Sequence, residues 1–454
     1  MLNVPNDIQI IRRAGGNRNG NDETSISSGG RPCLHPRTVA VTVAAPTSGW
    51  ATRDHVRNTY RGMYYWGAVM NFEPIPEHEA LRDSVRSFFD RELQEPKIRE
   101  MDRARRVPRD LWKRLAQLGW PGLTVPTEYG GSGGDVMTSA ILCEEIARRF
   151  PSLANYWVIT SMAARVLSES GTEEQKAEYL HKLAAGEFLM SFGMTEPGGG
   201  TDILGLKTRA TLEGGEWVVR GQKLYTSLAD DANAILVLCR THPPEGAKRS
   251  RGLSLILTPV HQEAVKVRRL ELMGQRAGCT CEVFLDEARA PADAVVGEVG
   301  RGWHTLLRTL NDERIICASM YVGITAAALD LTVQYAKDRT AFGRPIGAYQ
   351  AIQHPLADTA IELEQIRLLT ARAAWLHTNG RECSTEAAMA KLAASEAAIR
   401  ATDRCMRVLG GFGLVEESPL ERLFRDARLG PFSPISNEMV RNFIGERMGL
   451  PRSY

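Results

Sequence analysis

The chain has 454 residues, 43% of them apolar, enough for two or three domains with substantial cores; 56 Lys plus Arg stand against 54 Asp plus Glu, a formal net charge of +2. That balance leaves no electrostatic footprint for nucleic acid or an anionic membrane, so small molecules are the expected partners. No run of 18 or more apolar residues suggests a membrane span, the N-terminus lacks the apolar h-region of a secretory signal, and the eight cysteines form no CxxC pair, so reduced thiols and a cytoplasmic location are expected.

Residues 1–70, with "GGNRNGNDETSISSGGRP", are rich in Gly, Asn and Ser and are expected to be an upstream extension without its own core. Helical periodicity starts after Pro74. From "PEHEALRDSVRSFFDREL" to about Glu187 it continues, broken by the turn-rich "GWPGLTVPTEYGGSGGD", which predicts an N-terminal helical domain over 71–189. Between Met190 and about Gly297 the runs "GEWVVRGQKLY", "AILVLCR", "GLSLILTPV" and "CEVFLDEARAP" predict a central antiparallel β-domain over 190–299. Long helical runs return at 301–337, 349–379 and 385–409, giving a C-terminal helical domain over 300–454. The fold class is α+β, with no internal repeat.

Within the first long helical run, "LNDERIICASM" at 309–319 poses a chemical question. Leu306, Leu310, Cys317, Met320 and Ile324 fall on one face at helical spacing, and Glu313 takes the missing seat in that apolar series. An acid there pairs with Arg314 or another cation, or sits on a helix less buried than its pattern suggests, or is a desolvated carboxylate with a raised pKa, suited to proton transfer.

The turn "FGMTEPGGGTD" at 192–202 combines Gly, Pro and small hydroxyl residues where a ligand can approach the backbone, and its N–H and hydroxyl groups could hold an anion or a flat polar ring edge. It is not a P-loop, for no Gly-Lys-Ser/Thr follows, and its glycines have the wrong spacing for a dinucleotide fingerprint. Five further segments stand before and after it along the chain: "VPTEYGGSG" at 125–133, "GQKLYTS" at 221–227, "DRTAFGRPIGAYQAIQHPLAD" at 338–358, "VLGGFG" at 408–413 and "RDAR" at 425–428. Together these six stretches, within residues 71–454, resemble the acyl-CoA dehydrogenase family.

The resemblance implies a helical domain, a β-barrel-like middle domain and a C-terminal four-helix bundle, with FAD as cofactor. It implies that Phe192, Met194, Thr195 and Thr201 line the isoalloxazine and substrate carbonyl region. Tyr225 stands where the family usually has a Trp beside the flavin, and Ser227 where it has a Thr near N5. Arg339, Phe342 and Gln350 match positions that hold the FAD pyrophosphate and adenine, Gly410 and Gly411 match a close backbone approach, and Arg407 replaces a common Gln. In the family these groups come from the neighbouring subunit, which implies a homodimer or homotetramer. Ser436 matches a flavin-contacting Thr; Asn311, Arg314 and Thr201 match substrate-binding positions.

The implied reaction removes the proton alpha to an acyl-CoA thioester while hydride leaves the beta carbon for FAD, and electrons pass on to an electron-transferring flavoprotein or a similar acceptor. Many members take the base from a Glu soon after Arg-Asp-Ala-Arg/Lys, but in "RDARLGPFSPISNEMVRN" that position is Pro434, and Glu438 lies four residues later. Other members place the base on the long helix before an Arg, which here is Glu313. Proline also lacks the N–H that would polarise the thioester carbonyl, leaving a neighbouring amide such as that of Ile435, or the ribityl hydroxyl, for the task. A flavin oxidase or monooxygenase on the same fold, or a non-catalytic acyl-CoA-binding protein, are the alternatives. Cys279 and Cys281 are expected to pack in a strand rather than bind metal, and His354 to pack beside the FAD loop.

Overall fold

The computed structural model describes residues 75–246 and 248–452, so the extension expected over 1–70 lies outside the described residues. Six helices come first: α1 (Pro76–Glu92), α2 (Glu95–Ala104), α3 (Arg109–Gln117), α4 (Val136–Arg149), α5 (Pro151–Ser170) and α6 (Glu173–Ala184). Local chemistry sets several of their starts. Asp135 caps α4 by accepting from the Thr138 N–H at 2.8 Å, and Thr172 and Gln175 form a reciprocal capping box at α6. Gln175 also donates to the carbonyls of Asp293 and Val295, tying α6 to the end of the β region.

The sheet contains β1 (Met190–Gly193), β2 (Arg209–Glu213), β3 (Glu216–Ser227), β4 (Ala234–Arg240), β5 (Leu253–Pro259), β6 (Val265–Arg269) and β7 (Thr280–Pro291). The four predicted runs became β3, β4, β5 and β7. The sheet is mainly antiparallel, but β1 runs parallel to β4, pairing Met190 with Ala234 and Phe192 with Leu236. The strand that leads into the glycine turn is therefore flanked by the fully buried "AILVLC", which fixes where that turn leaves the sheet.

The predicted helix over 301–337 is two helices, α7 (Gly302–Arg308) and α8 (Leu310–Asp338), broken at Thr309. Apolar periodicity runs through the break, which is why the sequence reads as one helix. The hairpin of β8 (Thr340–Ala341) and β9 (Arg344–Pro345) follows, then α9 (Gln350–Thr378), α10 (Ser384–Leu409), α11 (Pro419–Asp426) and α12 (Asn437–Arg447). By length and composition α8 could cross a membrane, but 89% of its apolar window is buried within the protein, as befits the central helix of a bundle. It lies tight against α4 at Gly323, where an added Cβ would lie 2.3 Å from the Glu144 carbonyl oxygen. Only a glycine allows the two backbones to meet there.

Two cores result, one among the helices and one inside the curled sheet, and Phe192 packs against both. The glycine turn thus begins where the two cores meet.

Candidate active site

The turn after β1 is built by an ion pair that sequence reading did not single out. Glu196 accepts from the backbone N–H groups of Lys207 (2.6 Å) and Thr208 (2.9 Å) and from Lys223 Nζ (2.9 Å). Lys223, on β3, is fully buried and also donates to the Met194 carbonyl at 3.2 Å, while the Leu224 N–H donates to the Thr195 carbonyl at 2.8 Å. Lys223 and these hydrogen bonds hold the Glu196 pKa below its ordinary value, although burial pushes it up most strongly. The result is a turn pinned from beneath, with Phe192, Met194 and Thr195 partly buried and Thr201 exposed. Added Cβ atoms at Gly198 and Gly200 would meet nothing within 4 Å, so the turn is open on its outer side.

Beside it, β3 bulges between Lys223 and Thr226 against β7. The bulge puts Tyr225 in the left-handed region at φ 57° and leaves its ring 61% exposed. A tyrosine held there is strained, and its surroundings must impose the conformation. Ser227 shares a 3.1 Å hydroxyl contact with Thr280, and the buried Thr226 hydroxyl has no partner. A turn open on one side, beside an exposed aromatic platform, fits a flat, polar-edged group such as a flavin.

Glu313 lies in the first turn of α8, partly buried. Among the described residues its carboxylate has no hydrogen bond and no salt bridge, so the pairing reading is not what the fold adopts. Burial pushes its pKa up to about 7, with Arg314 and Lys391 pulling in the opposite direction. The preceding residue shows the contrast: Asp312 is bound by His377 Nε2 at 2.6 Å and Arg165 Nε at 3.2 Å. Arg314 is buried, lies over the Phe443 ring at 5.1 Å and leaves its Nε without a partner; Asn311 donates to Ser384 Oγ at 3.1 Å.

The segment holding Pro434 runs from Pro431 to Ser436, between α11 and α12. Ser436 caps α12, its hydroxyl accepting from the Met439 N–H at 3.3 Å, and Glu438 is exposed. The N–H groups of Phe432, Ser433 and Asn437 are hydrogen-bonded within the loop, whereas those of Ile435 and Ser436 have no partner among the described residues. Lys391 of α10 donates to the Ile435 carbonyl at 2.6 Å and to Asn437 Oδ1 at 2.8 Å.

The remaining predicted residues form a separate, exposed group. Arg339 and Gln350 are exposed, Phe342 at the hairpin tip is 97% exposed with φ 52°, and Arg407 pairs with Asp403 at 3.0 Å. Gly410 has φ 60°, and neither it nor Gly411 has an atom within 4 Å of an added Cβ. No hydrogen bond, ion pair or ring contact joins this group to the glycine turn among the described residues. His354 is exposed rather than packed. Asp230, Asp231 and Cys279 bring ligand atoms within 4.8 Å of one another, but Arg269 binds Asp230, Arg106 binds Asp231 at 2.6 Å, and burial pushes the Cys279 thiol up to about 12. That cluster is already neutralised by arginine.

Three family models match: the N-terminal domain of acyl-CoA dehydrogenase over residues 75–187, its middle domain over 191–288 and its C-terminal domain over 300–449. The chain belongs to the acyl-CoA dehydrogenase family, and it is an FAD-dependent oxidoreductase. It is 36% identical over 381 residues to the probable acyl-CoA dehydrogenase YngJ of Bacillus subtilis, a match that covers 84% of this chain and 100% of that one. It is 37% identical over 370 residues to the mitochondrial short-chain specific acyl-CoA dehydrogenase of Bos taurus, covering 81% and 89% respectively. The solved butyryl-CoA dehydrogenase of Megasphaera elsdenii has the same fold, with a TM-score of 0.80 and 29% identity over 84% of this chain and 100% of that one.

Proposed function

We propose that the protein oxidises an acyl-CoA thioester between Cα and Cβ, with Glu313 as the catalytic base. The observation that carries this reading is a partly buried carboxylate with no hydrogen bond or ion pair among the described residues, on the central helix of the bundle. Its pKa near 7 suits transfer in either direction at neutral pH. Bound FAD supplies the acceptor for the two electrons and the hydrogen that leave Cβ. Glu313 takes the Cα proton onto its carboxylate, and burial, which disfavours the carboxylate's charge, helps drive that transfer. Phe192, Met194, Thr195, Tyr225, Ser227 and Ser436 are the residues proposed to hold the isoalloxazine. Thr201, Asn311 and Arg314 are assigned to the substrate, with Arg314's buried Nε the donor in search of an acceptor.

The exposed group of Arg339, Phe342, Gln350, Arg407, Gly410 and Gly411 is assigned to the FAD of a neighbouring copy. A homodimer or homotetramer is supported by Ile361, Leu368 and Trp375 on α9, spaced seven apart and 57%, 53% and 47% exposed. An electron-transferring flavoprotein or similar carrier is the proposed acceptor, and a cytoplasmic location is proposed with it.

Anaerobic absorbance with short, branched and aromatic acyl-CoAs tests this reading against Glu313→Gln. Bleaching in the wild type and its loss in the variant, with FAD kept in both, is the expected outcome; equal bleaching in both removes Glu313 from the reaction. Pro434, which offers the thioester no N–H, favours a second reading as a flavin oxidase. Fast oxygen consumption during turnover would select it.

A further inference from the structure

Lys391 is fully buried, yet among the described residues no carboxylate pairs with it; its ammonium is held by neutral acceptors, the Ile435 carbonyl and the Asn437 side chain. Burying a charge on such terms is costly, so the sequence must gain something else from this lysine. Asn437 is itself buried and clamped: its amide side chain donates to Ser395 Oγ at 3.1 Å, and its N–H donates to the Pro431 carbonyl at 2.9 Å, closing the loop on itself. The Lys391 charge also reaches Glu313 and Cys317, one turn apart on α8, and opposes the rise that burial gives each pKa.

We propose that Lys391 is a positioning residue that ties the Pro431–Ser436 loop to α10 and sets its charge within reach of Glu313 on α8. The assignment rests on Glu313 being the base. With the Ile435 carbonyl held by the ammonium, the loop keeps one shape, and its two unpartnered amides, Ile435 and Ser436, stay where that shape puts them. The same charge favours the ionised form of Glu313, alongside Arg314. Burial draws the Lys391 pKa down to about 8; Cys317, Glu438 and Glu396 oppose that fall and Arg314 adds to it. Base and tether therefore titrate in adjacent ranges. Activity should rise as Glu313 loses its proton and decline as Lys391 loses its own.

The test is stopped-flow bleaching of the FAD-loaded full chain by an accepted acyl-CoA, between about pH 6 and 10, in wild type, Lys391→Met and Asn437→Ala. Lys391→Met should move the rising midpoint up by about one unit, slow bleaching at pH 7 about fivefold and remove the alkaline decline. Asn437→Ala keeps the charge but frees the loop, and should slow bleaching on the order of tenfold at every pH with the midpoint unmoved. An unmoved midpoint in an FAD-retaining Lys391→Met protein overturns the proposal. If that variant does not fold, wild-type rates in Asn437→Ala overturn it instead. Wild-type bleaching and its loss in Glu313→Gln test the base separately, so failure of the tether and failure of the base are told apart.

Discussion

Glu196 and Glu313 are the same side chain in two regions of one molecule, the first buried and the second partly buried, and the fold treats them in opposite ways. Under the glycine turn, Glu196 has a buried lysine and two backbone amides, and stays ionised. On α8, Glu313 has no bonded partner among the described residues, and burial pushes its pKa up to about 7. Burial alone thus does not define a functional acid. The supply of donors decides whether a buried carboxylate is a fastener or a base.

The sharpest way to break this contrast is chemical. Glu313→Gln should reduce the single-turnover bleaching rate about 10²- to 10⁴-fold while leaving FAD bound, as measured by stopped flow. Next in size, Lys223→Met leaves Glu196 buried without its cation and should cost about 3–5 kcal/mol in denaturant unfolding, with FAD lost from the loosened turn. Gly323→Ala forces α4 and α8 apart and should cost about 1–3 kcal/mol by the same assay.

The smallest effect distinguishes the two acids by sign. Glu196, with its lowered pKa, contributes stability that is present above the ordinary glutamate value of 4.5 and is lost as pH falls through the folded value. Glu313 works in reverse, because its raised pKa makes the fold progressively less stable as pH climbs from 4.5 to about 7. Glu313→Gln should therefore melt higher than wild type at pH 8, by on the order of 2 °C, with the difference vanishing at pH 4. Equal melting temperatures at both pH values would show that Glu313 is solvated.

What was legible follows from periodicity. Glu313 stood out because it interrupts an apolar series, and β3, β4, β5 and β7 because their β-rich runs are bounded by turn residues. Lys391, alone among small apolar residues in "AAMAKLAAS", gave the same kind of signal as Glu313 and was passed over. Lys223 could not be found that way, since its partner Glu196 lies 27 residues away and nothing local links them. The break at Thr309 and the parallel β1–β4 pairing depend on contacts with other elements, which local propensity does not encode. The FAD-turn residues were read from six matching stretches; of the exposed group, only resemblance indicated a use.

The backbone contact at Gly323 bears on how the enzyme can change over generations. Glu313 lies ten residues earlier on the same helix, about 15 Å along its axis. Because Gly323 sits directly against the α4 backbone, a shift of α8 along its axis to admit a larger acyl group would have to break that close packing. Descendants adapting to new substrates would then change other parts of the protein around the proposed base, Glu313, whose place on α8 stays fixed.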